Sequence, residues 1–256
     1  MVERKIDVFE AIGSNPIPPT IAPMSNINLY TENPEKYDEL QNLRPDYRKA
    51  IEITIDLAVN YLNSRSNIFI ADFCGGIGNV TKKIAEKLPI SKALIIDINK
   101  EFIEIAKSSG IKAENLETIH SDILDINLVK EYDLILSVFA YHHVPDDKKE
   151  KYLKIALSGL KEDGLLILTE IYLPNQELTN DYYKKLLEEI SNKNPLLEDF
   201  LNQTANSTNF EFKVSKEYAD KQLKSLGFKE IVSIKIWPLD KTFDENVGTF
   251  VQIFRV

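Results

Sequence analysis

Cysteine is nearly absent: Cys74 is the only one in 256 residues. One thiol excludes an internal disulfide framework and a thiolate metal cluster, and it fits a reducing compartment. Long hydrophobic runs are also missing, and none reaches membrane-spanning length. The opening Met-Val-Glu-Arg-Lys is unlike a secretory signal. Together these absences predict a cytoplasmic protein that engages no membrane. Positive charge is in deficit, with a formal net charge of −9. Phosphate backbones need clustered cations, so no extended nucleic-acid surface is expected. Arginine is scarcest of all: Arg4, Arg44, Arg48, Arg65 and Arg255 stand against 26 lysines, and residues 66 to 254 hold none. No internal repeat or low-complexity tract is present.

What remains is an ordinary globular composition, 43% hydrophobic and 28% charged, with room for one large or two small domains. The chain is organised around residues 68 to 81. Ile68, Phe69, Ile70 and Ala71 form an apolar run ending in Asp72, which reads as a buried parallel strand. Gly75, Gly76 and Gly78 follow as a tight turn, and Val80, Ile84, Ala85 and Leu88 then recur at helical spacing. A strand, a glycine turn and a helix N-terminus form a recurring nucleotide-binding arrangement, in which glycine lets a ligand approach the backbone.

Two ligand classes use that arrangement. A dinucleotide site has G-x-G-x-x-G, but here the third position is Thr81. The acid at the strand end instead suits a ligand carrying an ammonium or sulfonium group. Asp72-Phe-Cys-Gly-Gly-Ile-Gly78 resembles the first motif, D-x-G-x-G-x-G, of class I S-adenosylmethionine (SAM)-dependent methyltransferases of the small-molecule type. Cys74 replaces the first glycine, and its Cβ predicts an ordinary negative φ.

The resemblance continues in order over roughly residues 46 to 173. Asp97 ends a second strand, 19 positions after Gly78, where the family has an acid for the ribose hydroxyls; Ile98 adjoins it. The same acid could cap the next helix. Asp122 and Ile123 match the position whose side chain and backbone meet the adenine. Asp125 reads as a cap or surface acid and His120 as a structural histidine. Tyr132 to Asp146 resembles a fourth motif running into a His-His-Leu-Pro-Asp-like loop. The resemblance implies that Ser137 and Phe139 line the cofactor and that Tyr141 and His142 face the transferable methyl group. Lys161-Glu-Asp-Gly164 resembles the family's turn before a fifth strand.

Flanking segments complete the expected layout. Residues 1–45, proline-rich between Ile12 and Met24, are expected to form an N-terminal arm or lid, and residues 46–256 the SAM-binding domain. In the lid, Tyr30 and either Arg44 or Arg48 are candidates for the cofactor, with a guanidinium holding the methionine carboxylate. A surface pair of arginine with Asp46 or Glu52 is the alternative. An amphipathic helix is expected over 46–62. Residues 174–215 form a helical insertion, serving as a substrate cover or a homodimer element. Phe228 to Trp237 and Gly248 to Val256 resemble the antiparallel sixth and seventh strands that separate methyltransferases from dinucleotide dehydrogenases. The implied fold is therefore α/β, a doubly wound, seven-stranded, mostly parallel sheet with an antiparallel last strand.

The reaction that this resemblance implies moves a methyl group from SAM to an oxygen, nitrogen or carbon nucleophile of a small molecule, leaving S-adenosylhomocysteine. His142 is the candidate general base, beside the alternative that it only bonds a loop carbonyl. No Asn-Pro-Pro-Tyr or Asp-Pro-Pro-Tyr appears, which disfavours methylation of nucleic-acid bases. Two other readings stand open. One is a SAM enzyme of different chemistry, resembling carboxy-SAM synthases, although that family places an arginine near the extra carboxylate. The other is a non-catalytic SAM-binding protein. No metal is expected.

Overall fold

The computed structural model describes residues 34–190, 194–207 and 211–256. Tyr30 and the proline-rich stretch lie outside them. In chain order the helices and strands are α1 (Pro34–Asn42), α2 (Pro45–Leu62), β1 (Ile68–Phe73), α3 (Asn79–Ala85), β2 (Ile90–Asp97) and α4 (Lys100–Ser108). They continue as β3 (Ala113–His120), β4 (Tyr132–Val138), α5 (Lys149–Gly159), β5 (Leu160–Tyr172), α6 (Gln176–Glu189) and α7 (Pro195–Asn206). The last are α8 (Lys216–Ser225), β6 (Lys229–Trp237) and β7 (Gly248–Arg255).

The seven strands form one sheet in the order β3-β2-β1-β4-β5-β7-β6. β1 to β5 pair in parallel, while β7 runs antiparallel to both β5 and β6. Helices lie on both faces, which forces the strand side chains to alternate between two apolar cores. Leu134, Leu136 and Ile167 point to the face covered by α2, α3, α4, α6 and α7. Ile135, Leu166 and Leu168 point to the other, covered by α5 and α8.

Local sequence explains the element boundaries. Pro45 opens α2, where a missing N–H costs nothing. Asn99, Asn175, Asn194 and Ser215 cap α4, α6, α7 and α8 through side-chain oxygens that accept backbone N–H bonds. One expectation fails: β5 begins at Leu160 and runs through the Lys161–Gly164 stretch read as a turn, with an irregular register opposite Tyr132 and Leu134. The extended backbone accommodates it because Gly164 has no side chain; a Cβ there would meet the Tyr132 carbonyl oxygen at 2.9 Å.

The strand order reverses between β1 and β4. In open α/β sheets that switch point leaves a crevice at the carboxyl ends of the strands, where ligands bind. The first residues past β1 and β4, Cys74 and Phe139, both adopt left-handed backbone, with φ of +53° and +52°. This corrects the ordinary φ expected for Cys74. A non-glycine residue there costs on the order of 1–3 kcal/mol and is held by its surroundings. For Phe139 these include a 2.7 Å bond from its N–H to the Thr169 carbonyl and stacking on Tyr47 at 5.0 Å between centroids.

Candidate active site

A cavity of about 390 Å³ occupies that crevice. Its floor is the glycine turn after β1, where Asp72, Cys74, Gly75 and Gly76 face it. Asp72 folds under the turn: a Cβ on Gly75 would stand 2.7 Å from the Asp72 Cγ, so only glycine fits. Gly76, at φ +55°, turns its N–H to Asp97 Oδ2 at 2.9 Å, tying the turn to the end of β2. The third glycine acts differently. Gly78 does not line the cavity, and a Cβ on it would strike Ile95 and Ile111 at 2.7 and 2.8 Å. It serves the close packing of α3 on the sheet.

Electrostatics single this cavity out. Asp38, Asp72 and Asp97 line it, and among the described residues no lysine or arginine does. Burial pushes the Asp72 carboxyl up to about 7, opposed by a 2.7 Å bond from the Thr81 hydroxyl and assisted by the charge of Asp97. Asp97 is also raised by burial, against the backbone N–H groups of Asn99 and Gly76. Asp38 is raised by burial, against its bond from Asn79. Crowded acids that resist ionisation are the environment a cationic ligand relieves.

The roof comes from α1. Tyr37 packs on Phe102 of α4 and on Phe200 of α7, both at 5.9 Å between centroids. Asp38 Oδ1 accepts a 2.8 Å bond from the Asn79 side chain at the start of α3. Helix α1 is thus held to the start of α3 and to α7 at once. Arg44, expected at the cofactor, is instead buried at the α1–α2 junction. Its guanidinium donates to Asp46 at 3.2 and 2.6 Å and to Gln41 at 2.8 Å. Tyr182 of α6 joins Asp46 at 2.7 Å and Thr249 of β7 at 2.6 Å. The expected pair with Asp46 exists, but in the interior rather than on the surface. Arg48 is exposed and does not line the cavity.

After β4, the His-His loop is fixed by Lys149. This buried ammonium donates to the carbonyls of Tyr141 (2.9 Å) and Val144 (2.6 Å) and lies 4.5 Å from the Tyr141 ring centroid. The turn it holds sends consecutive side chains in different directions. Tyr141 enters the core and donates to Gln222 at 2.7 Å. His142 is buried with its Nδ1 against Glu170, and His143 lines the cavity. So neither of the two residues expected to face the methyl group lines the cavity, and His143, the residue after them, does.

The other expected residues divide similarly. Asp72, Cys74, Gly75, Gly76, Asp97, Ile98 and Phe139 line the cavity. Asp122 caps a single turn by accepting from Leu124 N at 2.9 Å, and Ile123 is in the core. Ser137 is buried and shares a 2.6 Å bond with the Tyr152 hydroxyl, while Val138 takes the wall position. His120 meets the Ile98 carbonyl at 3.0 Å, the structural part expected of it. Sequence reading did not assign Asn79, Phe102 and His143 to the site. Only His143, adjacent to a marked histidine, carried a usable signal.

A glycine turn with its strand-end acid, a second acid after β2, and a seven-stranded sheet with β7 antiparallel define the class I, Rossmann-like methyltransferase architecture. The comparisons agree. Residues 70–164 match the family described as the methyltransferase domain. A carboxy-S-adenosyl-L-methionine synthase of Nautilia profundicola is 27% identical over 84% of this chain and 88% of its own. An uncharacterized methyltransferase of Staphylococcus carnosus is 23% identical over 63% of this chain and 75% of its own. Among solved structures, the plantazolicin methyltransferase BpumL, in complex with a substrate analogue and S-adenosylhomocysteine, superposes with a TM-score of 0.64. It is 14% identical, over 90% of this chain and 93% of that one. A SAM-dependent methyltransferase from Clostridium acetobutylicum gives 0.59 at 18% identity, covering 86% and 96%. The chain carries a methyltransferase domain and is a SAM-dependent enzyme of class I.

Proposed function

We propose that the protein transfers the SAM methyl group to an oxygen, nitrogen or carbon nucleophile of a small molecule held under α1 and the α6–α7 pair. The observation carrying this reading is the cavity's charge: three carboxylates and, among described residues, no lining lysine or arginine. SAM brings an ammonium and a sulfonium to that setting. Asp72 takes the ammonium, Asp97 the ribose hydroxyls, and Ile98 and Phe102 offer apolar surface to the adenine. SAM supplies an already activated methyl carbon. The chain's own residues therefore align the nucleophile and exclude water, an effect worth up to about 7–11 kcal/mol. A nucleophile arriving protonated needs a base at the wall, and His143 is the imidazole located there, with His142 and Glu170 behind it.

The 27% identity to a carboxy-SAM synthase over most of both chains favours a second reading. Such a cofactor bears a further carboxylate, which a cavity lined by three acids without a described cation disfavours.

Calorimetric titration with SAM, S-adenosylhomocysteine and NAD tests the cofactor. Micromolar binding of the first two, and none of NAD, supports the reading; binding of NAD alone defeats it. Mass spectrometry of the co-purifying cofactor then separates the two chemistries, since carboxy-SAM in the purified protein would select the second. An acceptor screen read by S-adenosylhomocysteine release tests transfer itself.

A further inference from the structure

Behind the cavity wall, the geometry points to a binding site for a divalent transition-metal ion, built from His142, His143 and Glu211. One ligand atom from each of these side chains lies within 4.8 Å of the others. The three come from two distant stretches, brought together because the chain beside Glu211 pairs with the His-His loop. Phe212 N–H donates to the His142 carbonyl at 2.6 Å, and Leu173 N–H donates to Val214.

The argument rests on how the His142 ring is held. Glu170 Oε2 accepts from the His142 backbone N–H at 3.0 Å and Oε1 from that of Ile171 at 2.6 Å. Oε1 also engages Nδ1 of the ring, so the nitrogen left for another partner is Nε2. It faces Glu211 Oε2 at 3.7 Å, too far apart for a hydrogen bond between them.

Glu211 is 7% exposed, and its carboxylate is held by Lys213, whose Nζ stands 2.7 Å from Oε2 and balances the charge. His142 Nε2 is left facing the same oxygen without a hydrogen bond to it. A cation between the two groups satisfies both.

Two imidazoles and a carboxylate form a donor set that suits zinc and its neighbours, leaving a further coordination position open. In a tetrahedral array, ligands about 2.0–2.1 Å from zinc stand roughly 3.4 Å apart. The 3.7 Å gap between His142 and Glu211 therefore needs to close by a few tenths of an ångström, and the separations within the set, bounded at 4.8 Å, by up to about 1.4 Å. The carboxylate–histidine contact from Glu170 supplies the outer support that metal-bound imidazoles ordinarily have. Because His143 also lines the cofactor cavity, the ion stands at the acceptor-side wall. With the ion bound, His143 would serve as a ligand rather than as the base at the wall, and the ion would supply Lewis-acid polarisation there.

The test is direct metal binding to the full chain after chelator treatment, by calorimetry with Zn²⁺ and by visible absorption with Co²⁺. One equivalent of Zn²⁺ is expected at micromolar affinity or tighter, with Co²⁺ bands of low-coordinate geometry. Glu211→Gln should abolish both, and Glu170→Gln should weaken binding by roughly 10- to 100-fold. Lys213→Met removes the competing cation and should tighten binding, a gain that misfolding cannot imitate. No saturable binding overturns the proposal. So does Glu211→Gln binding as well as the native chain, or Lys213→Met failing to tighten it. A protein that binds Zn²⁺ here but transfers no methyl group leaves this site standing and fails only the functional reading above.

Discussion

The two halves of the cavity are built on different principles. On the cofactor side, contacts come from residues close in sequence to a strand end: Asp72 with Gly75 and Thr81, and Asp97 with Gly76 and Asn99. On the other side, Lys149 holds the His-His loop locally, but the contacts that join the loop and the cover to the rest span long stretches of chain. Glu170 reaches His142, Glu211 faces it from another segment, and Tyr182 joins Asp46 across 136 positions. The first half can be rigid whenever the sheet forms. The second exists only when α1, α6, α7 and the chain before α8 are docked together. Substrate choice in a class with one cofactor belongs in the part that can vary without disturbing the sheet.

The largest contrast between the halves should appear on replacing Arg44 with Met. This strands the buried Asp46 carboxylate, and breaking such a pair costs about 3–5 kcal/mol. Denaturant unfolding should register that loss, whereas SAM affinity of the folded protein should hold, because Arg44 does not line the cavity. Unchanged stability would mean that the cover is not anchored as described. Gly78→Ala attacks the cofactor side at its packing: overpacking against Ile95 and Ile111 plus the left-handed φ should cost about 2–4 kcal/mol, seen as a lowered thermal midpoint.

Asp72→Asn separates binding from folding. Losing a charge-assisted contact of about 1.5–3 kcal/mol should weaken SAM binding by roughly 10- to 150-fold. Stability of the free protein should stay level or rise, since a neutral amide replaces a buried acid. A pH series probes the same group. Because the folded carboxyl sits at about 7, above its ordinary 3.8, the folded state holds more protons than the unfolded one between those values. Its contribution to stability therefore falls as pH rises from about 4 to 7. A cationic ligand favours the ionised form, so SAM should bind more tightly at pH 8 than at pH 6 and release a proton on binding near neutrality. Calorimetry in buffers of different ionisation enthalpy measures that proton, and its absence would remove Asp72 from the ammonium. The smallest effect is expected for exposed Arg48→Ala, with SAM affinity within about twofold of the native value.

The order of strands, the glycine turn and the acids after β1 and β2 were legible in the sequence because each depends on a run of neighbouring residues. Burial makes a strand apolar, a sharp turn selects glycine, and a strand-end acid faces the crevice by position alone. The same reading misplaced Cys74, since residue size says little about a backbone conformation imposed by the sheet around it. It also chose His142 over His143. Two adjacent histidines look alike in a sequence, and only the Lys149-held turn decides which one faces the cavity and which is buried. Arg44 was recognised as unusual for its rarity, but the choice between a ligand and a buried Asp46 was not local.

The sequence by itself determined the sheet, its class and the glycine turn with Asp72 and Asp97 at the cavity, because hydrophobic periodicity and turn chemistry act over a few residues. Tertiary structure alone decided the roof over the cavity, the direction of each loop histidine and the meeting of Glu170 and Glu211 at His142. Those depend on where distant segments dock, and a buried polar group takes whatever partner the packing brings to it.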